Sequence, residues 1–340
     1  MVNKSKKSAG KLSTKAKLLM ALREQAGKTI SGGKLASDFG ISRVGVWKGI
    51  QALLAAGYFI KANDSGYFLD PDKNSDFLYP WEFGEKEAMF RFFESTSSTM
   101  DNVRDFASHG QATGIVAVAE TQSAGRGRNG RTWASRLGGL YCSFLDRPSI
   151  ALADYSVPLM LYQIAAAKAI SALCGKQAKL RWPNDIYIDG RKIAGIITEL
   201  EAEGDMIRWV VTGIGINVNN LSPSAKAISC SEIVRHTVSR RMLLTAIIKE
   251  ADQLKKTTVS TTAFTQGNKN LAAEWNSLAD CINAKAAIVD SINISRDDKS
   301  RLLARGVFAG IDPAGRCIIK SHDKDKAMYF NPGPVSVMLL

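Results

Sequence analysis

The feature that most constrains this chain is the run Gly125-Arg126-Gly127-Arg128-Asn129-Gly130-Arg131, closed by Thr132 and Trp133. Glycine admits left-handed backbone and lets a ligand approach the main chain. Arginine presents a rigid, permanently charged fork that fits carboxylates and phosphates. Alternated, they describe a flexible cationic loop able to fold over an anion. The spacing also matches G-x-G-x-x-G, but a dinucleotide-binding turn has to open a helix. Here a further loop stretch follows, and then Leu140-Tyr141-Cys142-Ser143-Phe144-Leu145, which reads as a strand. Residues 115–119, just before the loop, read as a second, buried strand. The loop is therefore hung between core strands, where binding residues concentrate. A merely solvated basic loop is the competing reading.

The 340 residues suggest two or three domains, and the net charge of +13 permits a polyanionic partner without identifying one. Cys142, Cys174, Cys230, Cys281 and Cys317 are dispersed without a CxxC pair, which points to reduced thiols and away from a disulfide scaffold. His109, His236 and His322 are far apart and suggest no metal site. The lysine-rich N-terminus lacks a signal peptide's apolar core. No run approaches the ~18 apolar residues of a membrane span. A soluble, cytoplasmic protein with no membrane partner is expected.

Residues 1–15, with five lysines among Ser and Gly, predict a disordered basic arm, either solubilising or DNA-contacting. Over 16–70 the pattern predicts a helix at 16–24, a short helix ending at Gly40, and a second helix from the cap Ser42 to about Ala56. Two strands around the turn 63–66 follow. That order is a winged helix-turn-helix, whose second helix normally enters the major groove. Ser31, Ser42, Arg43, Trp47 and Lys48 are the DNA-facing candidates; a small trihelical domain without DNA binding is the bland alternative. Residues 71–86 read as a linker.

A larger domain, 87–280, opens with a strand at 89–93 and a helix from Met100 to about Ala107, with Ser98 or Thr99 as its cap. A helix at 159–174 stops at Gly175. Asp189-Gly190 between alternating apolar stretches predicts a hairpin, which places Trp182-Pro183-Asn184-Asp185 on one strand and Arg191-Lys192 on the next. Another strand covers 209–217, with Gly213 and Gly215 where a ligand could come close. Helices are expected at 241–256 and 270–276. The remainder, 281–340, predicts short strands with turns at 312–315 and 331–334, closing as a small β-barrel. The fold class is α+β.

In this order, the arginine-glycine loop, the Trp182-Pro183-Asn184-Asp185 hairpin with Arg191-Lys192-Ile193-Ala194-Gly195, Ser98-Thr99-Met100-Asp101, and Gly213-Ile214-Gly215-Ile216-Asn217 resemble the motifs of biotin protein ligases. The front domain makes the chain similar to the bifunctional type, which acts as biotin operon repressor and as biotin–acetyl-CoA-carboxylase ligase. The resemblance implies an N-terminal winged helix-turn-helix, a mixed α/β ligase domain and an SH3-like C-terminal barrel. It implies two reactions as well. Biotin's carboxylate attacks the α-phosphate of Mg-ATP, giving biotinyl-5′-AMP and pyrophosphate. A lysine of the biotin carboxyl carrier protein then takes the biotinyl group and releases AMP. Neither step needs an enzyme nucleophile; both need cations, orientation and exclusion of water.

On the same resemblance, Ser98, Thr99, Met100, Gln122, Gly125, Arg126, Gly127, Arg128 and Arg181 fall on the biotin side. Arg128, Arg131, Trp133, Asn184, Asp185 and Asn217 fall on the nucleotide side, and Arg181, Arg128 and Lys192 are the catalytic cations. Two departures stand out. Arg181 occupies a position where the family commonly has Lys, and Met100 one where some members have Asn. A homodimer formed on adenylate binding, presenting two winged helices to operator DNA, is the implied mode of repression. Two readings compete: a DNA-binding regulator that senses biotin or its adenylate without turnover, and a lipoate or octanoate transferase of the same fold.

Overall fold

Three serines fix the helices of the first unit. In the computed structural model, which describes residues 12–25, 27–71, 73, 76–258, 264–290, 302–321, 326–333 and 335–340, Ser13, Ser31 and Ser42 cap α1 (Thr14–Glu24), α2 (Gly32–Phe39) and α3 (Arg43–Ala55). Each hydroxyl accepts from the backbone N–H three residues on, at 3.0–3.1 Å, satisfying a donor the helix itself cannot. Gly40 ends α2 in the left-handed region (φ 61°). Leu18, Leu22, Leu35, Val46, Ile50 and Leu53 then close one small core over the hairpin β1 (Ile60–Asn63) and β2 (Gly66–Leu69). Asn63 holds the turn by accepting from the N–H groups of Ser65 and Gly66. Most of the expected basic arm, with Lys4, Lys6, Lys7 and Lys11, lies outside the described residues, as does His322.

The chain divides into two compact units, Met1–Phe92 with Ser239–Arg241, and Phe93–Val238 with Met242–Leu340. The end of the expected linker is itself ordered. Pro80–Met89 winds into 3-10 turns, and the fully buried Glu82 carboxylate accepts from Arg23 and from the Tyr58 hydroxyl. Burial and that carboxylate push the Tyr58 hydroxyl far above its usual range.

In the second unit a seven-stranded sheet runs in the order β3 (Phe90–Thr96), β4 (Val116–Gln122), β5 (Leu140–Asp146), β9 (Met206–Ile216), β8 (Arg191–Glu203), β7 (Asp185–Ile188), β6 (Lys179–Arg181). The pairings from β4 through to β6 are antiparallel. Asp189 and Gly190, both at positive φ, make the expected turn between β7 and β8. β9 starts three residues before the predicted strand, because Gly204 (φ 57°) turns β8 directly into it.

α4 (Thr99–Ser108) packs Met100, Val103 and Ala107 against Trp209, Val211 and Leu145 on one face. α5 (Val157–Cys174) packs against β7, β8 and β9. The expectation that nothing approaches a membrane span is corrected here. Residues 152–174 are long and apolar enough by length and composition, but they are mostly buried as a core helix.

α6 (Cys230–Val234), α7 (Arg240–Thr258) and α8 (Phe264–Leu278) follow; α6 was not foreseen, and α8 starts six residues before the predicted helix. The C-terminal residues form a five-stranded antiparallel sheet. Its strands are β10 (Lys285–Asp290), β11 (Leu302–Ile311), β12 (Cys317–Lys320), β13 (Ala327–Phe330) and β14 (Val335–Leu339), in the order β13-β12-β11-β10-β14. Among the described residues no pairing joins β13 to β14, and the expected closure into a barrel is not seen there.

Candidate active site

Along β9 the residues facing α4 shrink: Trp209, Val211, Gly213, Gly215. Side chains alternate across a strand, so this two-residue step hollows one face of the sheet while Val210, Ile214 and Ile216 stay buried on the other. β8 matches it, since Gly195 stands opposite Gly215 and Ile197 opposite Gly213. The hollow is a cavity of about 530 Å³, within the range of small-molecule sites.

Its roof is the arginine-glycine loop, which is itself a small hairpin. Trp133 N–H donates to Gly125 C=O at 2.9 Å and Gly127 N–H to Arg131 C=O at 2.7 Å, with Asn129 and Gly130 at positive φ at the tip. Gly125 is buried against the Trp133 carbonyl and the Ser135 hydroxyl, where a Cβ would not fit.

At one end the start of α4 carries a continuous polar chain. Gln122 Oε1 accepts from Thr99 N–H (2.9 Å) and hydroxyl (3.2 Å), and Gln122 Nε2 donates to Ser135 Oγ at 2.8 Å. Thr99 and Ser143 hydroxyls are 2.8 Å apart. Ser98 caps α4 through Met100 N–H. Met100 packs its sulfur on Gly213, where a Cβ would come within 2.5 Å.

The cations have different partners. Arg126 pairs with Asp101 and Glu199, each at 3.0 Å. Lys192 pairs with Asp185 at 2.7 Å and lies over the Trp133 ring. Arg181 pairs with Asp280 and stacks on Tyr187, 3.7 Å from the ring centre. Burial alone would weaken the Arg181 charge, but the Asp280 carboxylate outweighs it and holds the guanidinium above its usual range. Arg128 is different: it donates to Asn184 Oδ1 (3.3 Å), to Val335 C=O (3.1 Å) and to Gly333 C=O. Among the described residues it forms no ion pair, and burial pulls its pKa down. Arg131 is exposed and also forms no ion pair among the described residues.

Ser98, Thr99, Met100, Gln122, Arg126, Gly127, Arg128, Arg131, Trp133, Arg181, Asn184, Asp185 and Lys192 all line the one cavity. Gly125 shapes it from behind. Asn217 does not line it; its buried side chain accepts from Asn220 Nδ2 at 3.1 Å just past β9. The sequence reading missed Ser135, Ser143, Tyr187 and Asp280, and above all β14, whose residues 336–339 form one wall. Tyr187 was within reach, being two residues from Asp185 on the same strand face. Nothing local in 336–339 announced a wall. Among the described residues no group of three or more His, Cys, Asp or Glu side chains is arranged to hold a metal ion.

Residues 92–217 match the biotin/lipoate A/B protein ligase family, and residues 14–68 match a helix-turn-helix domain. The chain is 40% identical over 219 residues to the bifunctional ligase/repressor BirA of Bacillus spizizenii, an alignment that covers 62% of this chain and 67% of that protein. The Bacillus subtilis counterpart is also 40% identical, with 61% and 66% covered, so the chain spans about two thirds of these relatives' length. The biotin–[acetyl-CoA-carboxylase] ligase of Paracoccus denitrificans is 30% identical, covering 59% of this chain and 86% of that one. In fold the chain is similar to the biotin protein ligase from Aquifex aeolicus solved with biotin and ATP, with a TM-score of 0.59 and 23% identity over 74% of this chain and 99% of that one. Identity of 30% that reaches across 86% of a whole ligase is not the trace of one shared motif, and the chain belongs to the biotin/lipoate A/B protein ligase family.

Proposed function

We propose that this chain is an ATP-dependent biotin–protein ligase that also regulates transcription through its front domain. One observation carries the catalytic half: Arg128 is seated at the cavity with its hydrogen bonds on neutral oxygens, and the nearby Asp185 carboxylate forms no ion pair with it, so its charge is left largely for an incoming anion. A cation already spent on a carboxylate could not serve a developing phosphate charge as well.

Biotin's ring system would rest against Ser98, Thr99, Met100 and Gln122, with Gly125, Arg126 and Gly127 as the covering segment. Biotin's carboxylate oxygen would attack the α-phosphorus of ATP and displace pyrophosphate. Arg128 and Arg131 would hold the phosphate oxygens, with Arg181 beside the carboxylate. Trp133, Asn184, Asp185 and Lys192 would form the nucleotide side, and Asn217 would act only by bracing the end of β9. The acceptor lysine's amine would then attack the acyl carbon, and AMP would leave with the bond electrons. Mg2+ would enter as part of the nucleotide substrate. The Asp185 carboxylate of the cavity wall faces Lys192, the nearby Asp101 and Glu199 face Arg126, and magnesium commonly rides on substrate phosphates and water.

The acceptor would be a biotin carboxyl carrier protein in the cytoplasm. Operator DNA would be met by α3, with Arg43, Trp47 and Lys48 exposed along it and Ser31 and Ser42 at the helix starts. Adenylate-driven homodimerisation would pair two such helices. The domain limits would be 16–70 for the winged helix, 87–280 for the ligase and 281–340 for an SH3-like barrel built on the C-terminal sheet.

The test is intact-mass analysis of an unbiotinylated carrier domain incubated with the chain, biotin and Mg-ATP. One added biotin, absent with lipoate or without ATP, supports the ligase. An unmodified carrier together with binding of biotin would favour the sensor reading instead, for which the pairing of Arg181 with Asp280 is the specific observation.

A further inference from the structure

Arg181 lines the cavity, yet its charge is engaged by a residue far along the chain. Asp280 takes the guanidinium side-on, through Nε at 3.1 Å and through Nη2. The Tyr187 hydroxyl and the Cys281 thiol also stand within reach of the same guanidinium. Tyr187 covers one face of the guanidinium plane. One edge and one face of the guanidinium are therefore held, at a side chain that lines the cavity. The clamp is anchored at each end. Arg181 and Tyr187 stand on one face of the β6–β7 pair, where Arg181 opposes Asp185 and Lys179 opposes Tyr187. Asp280 N–H donates to Leu180 C=O at 2.7 Å, beside the bridge between Leu180 and Ala279.

We propose that Asp280 and Tyr187 are positioning residues that hold the Arg181 guanidinium in place for the carboxylate of the acid substrate. This rests on the ligase reading and gives the arginine at this position its physical reason. A lysine ammonium has no plane to stack and no second edge to offer. A guanidinium gripped side-on is fixed in its plane with part of its charge offset. Binding an anion through one fixed edge makes recognition depend on the carboxylate's negative oxygens, and far less on the rest of the acid.

The experiment compares wild type with Asp280→Asn, Asp280→Glu, Tyr187→Phe and Tyr187→Leu in the full chain. Steady-state KM is measured for biotin and for ATP, and calorimetric Kd for biotin and for biotin amide. Asp280→Asn and Tyr187→Leu are expected to raise KM for biotin by roughly tenfold, the factor that about 1.4 kcal/mol represents. KM for ATP should stay unchanged, and the preference for biotin over its amide should shrink by the same factor. Asp280→Glu and Tyr187→Phe, which keep the charge and the ring, should restore most of it.

Equal changes in both KM values, or an unchanged biotin-to-amide ratio, would overturn the positioning role. If Asp280→Asn does not fold, the Tyr187→Leu and Tyr187→Phe pair decides the matter on the same ratio. A wild-type chain that neither binds biotin nor modifies a carrier would instead remove the ligase reading, and this inference with it.

Discussion

Gly195 and Gly215 face each other across β8 and β9, and the indole of Trp133 lies on both. A Cβ on Gly215 would come within 2.6 Å of the ring, and one on Gly195 within 3.0 Å. The sheet is thinned to bare backbone where the loop's aromatic sits, and this sets the depth of the cavity. Gly215→Ala must therefore displace Trp133 or the loop that carries it. A loss of roughly 1–3 kcal/mol in stability is expected from such overpacking, and carrier biotinylation should fall by roughly 5- to 150-fold where the same energy is lost from the transition state. Gly195→Ala should cost less on both counts. Thermal melts and initial rates check this, and a Gly215→Ala chain with wild-type melting and turnover would remove the seat from the account.

Arg128 joins the loop to the C-terminal sheet through the Gly333 and Val335 carbonyls and reaches Asn184 across the cavity. Arg128→Ala should lower single-turnover adenylate formation by roughly 10²-fold or more, the usual loss when one oriented donor to a developing anion is removed. Arg128→Lys should recover little, because one ammonium cannot serve three oxygens set in a fork's geometry. A rate within twofold of wild type for Arg128→Ala would count against both the assigned charge and its seat.

Much of this site was legible because its residues are packed into short, periodic stretches. Gly213-Ile214-Gly215 alternates, so the glycines had to share a face, and Asp189-Gly190 forced the hairpin that brings Lys192 back toward Asp185. What could not be read depends on contacts distant in sequence. Asp280 lies 99 residues from Arg181, and Val335 lies 207 from Arg128; no local pattern encodes either meeting. The same limit explains why Arg181 reads as an uncompensated cation in the sequence. It also explains why the wall made by β14 went unseen, and why Asn217, sequential with the glycine strand, turns out to brace a loop through Asn220. Capping and turn chemistry set the helix starts well at Ser42 and at the Ser98–Thr99 pair, whereas α8 begins six residues early, in a turn whose Asn268 donates to Asp154, 114 residues away.

Gln163 makes a sharp stability test. From α5 its buried amide donates to Pro183 C=O at 3.1 Å and accepts from Trp275 Nε1 at 3.0 Å. Gln163→Leu would strand a buried carbonyl and a buried indole N–H, each costing about 1–3 kcal/mol when unsatisfied. Chemical denaturation should show the midpoint falling with the slope unchanged. A midpoint within error of wild type would mean that water reaches both groups.

Cys281 should be the thiol that labels in the native protein, since Cys142, Cys174, Cys230 and Cys317 are buried. Burial first, and then the Asp280 charge beside it, raise its pKa. The thiolate is the reactive form, so a raised pKa means less of it at neutral pH. Iodoacetamide labelling should therefore be slow near pH 7, with its midpoint above pH ~8.5, where an ordinary cysteine is half ionised. Asp280→Asn should move the curve toward lower pH. Peptide mass mapping across pH measures it; a midpoint at or below the free-thiol range contradicts the direction of the shift.

The front unit separates folding from DNA contact within one helix. Ser42 caps α3 through Gly45 N–H at 3.0 Å, while Arg43 and Lys48 are exposed along it. Ser42→Ala should cost about 1 kcal/mol of that unit's stability. Removing Arg43 and Lys48 together touches no core residue and should leave its melting nearly unchanged. If the two cations meet phosphates, each releases counterions on binding, and log K falls with log salt by about 0.9 per contact. The double alanine variant should then reduce that slope by about 1.8 with random-sequence duplex DNA, measured by anisotropy across a salt titration. An unchanged slope would take α3 off the phosphate backbone, whatever its likeness to a recognition helix.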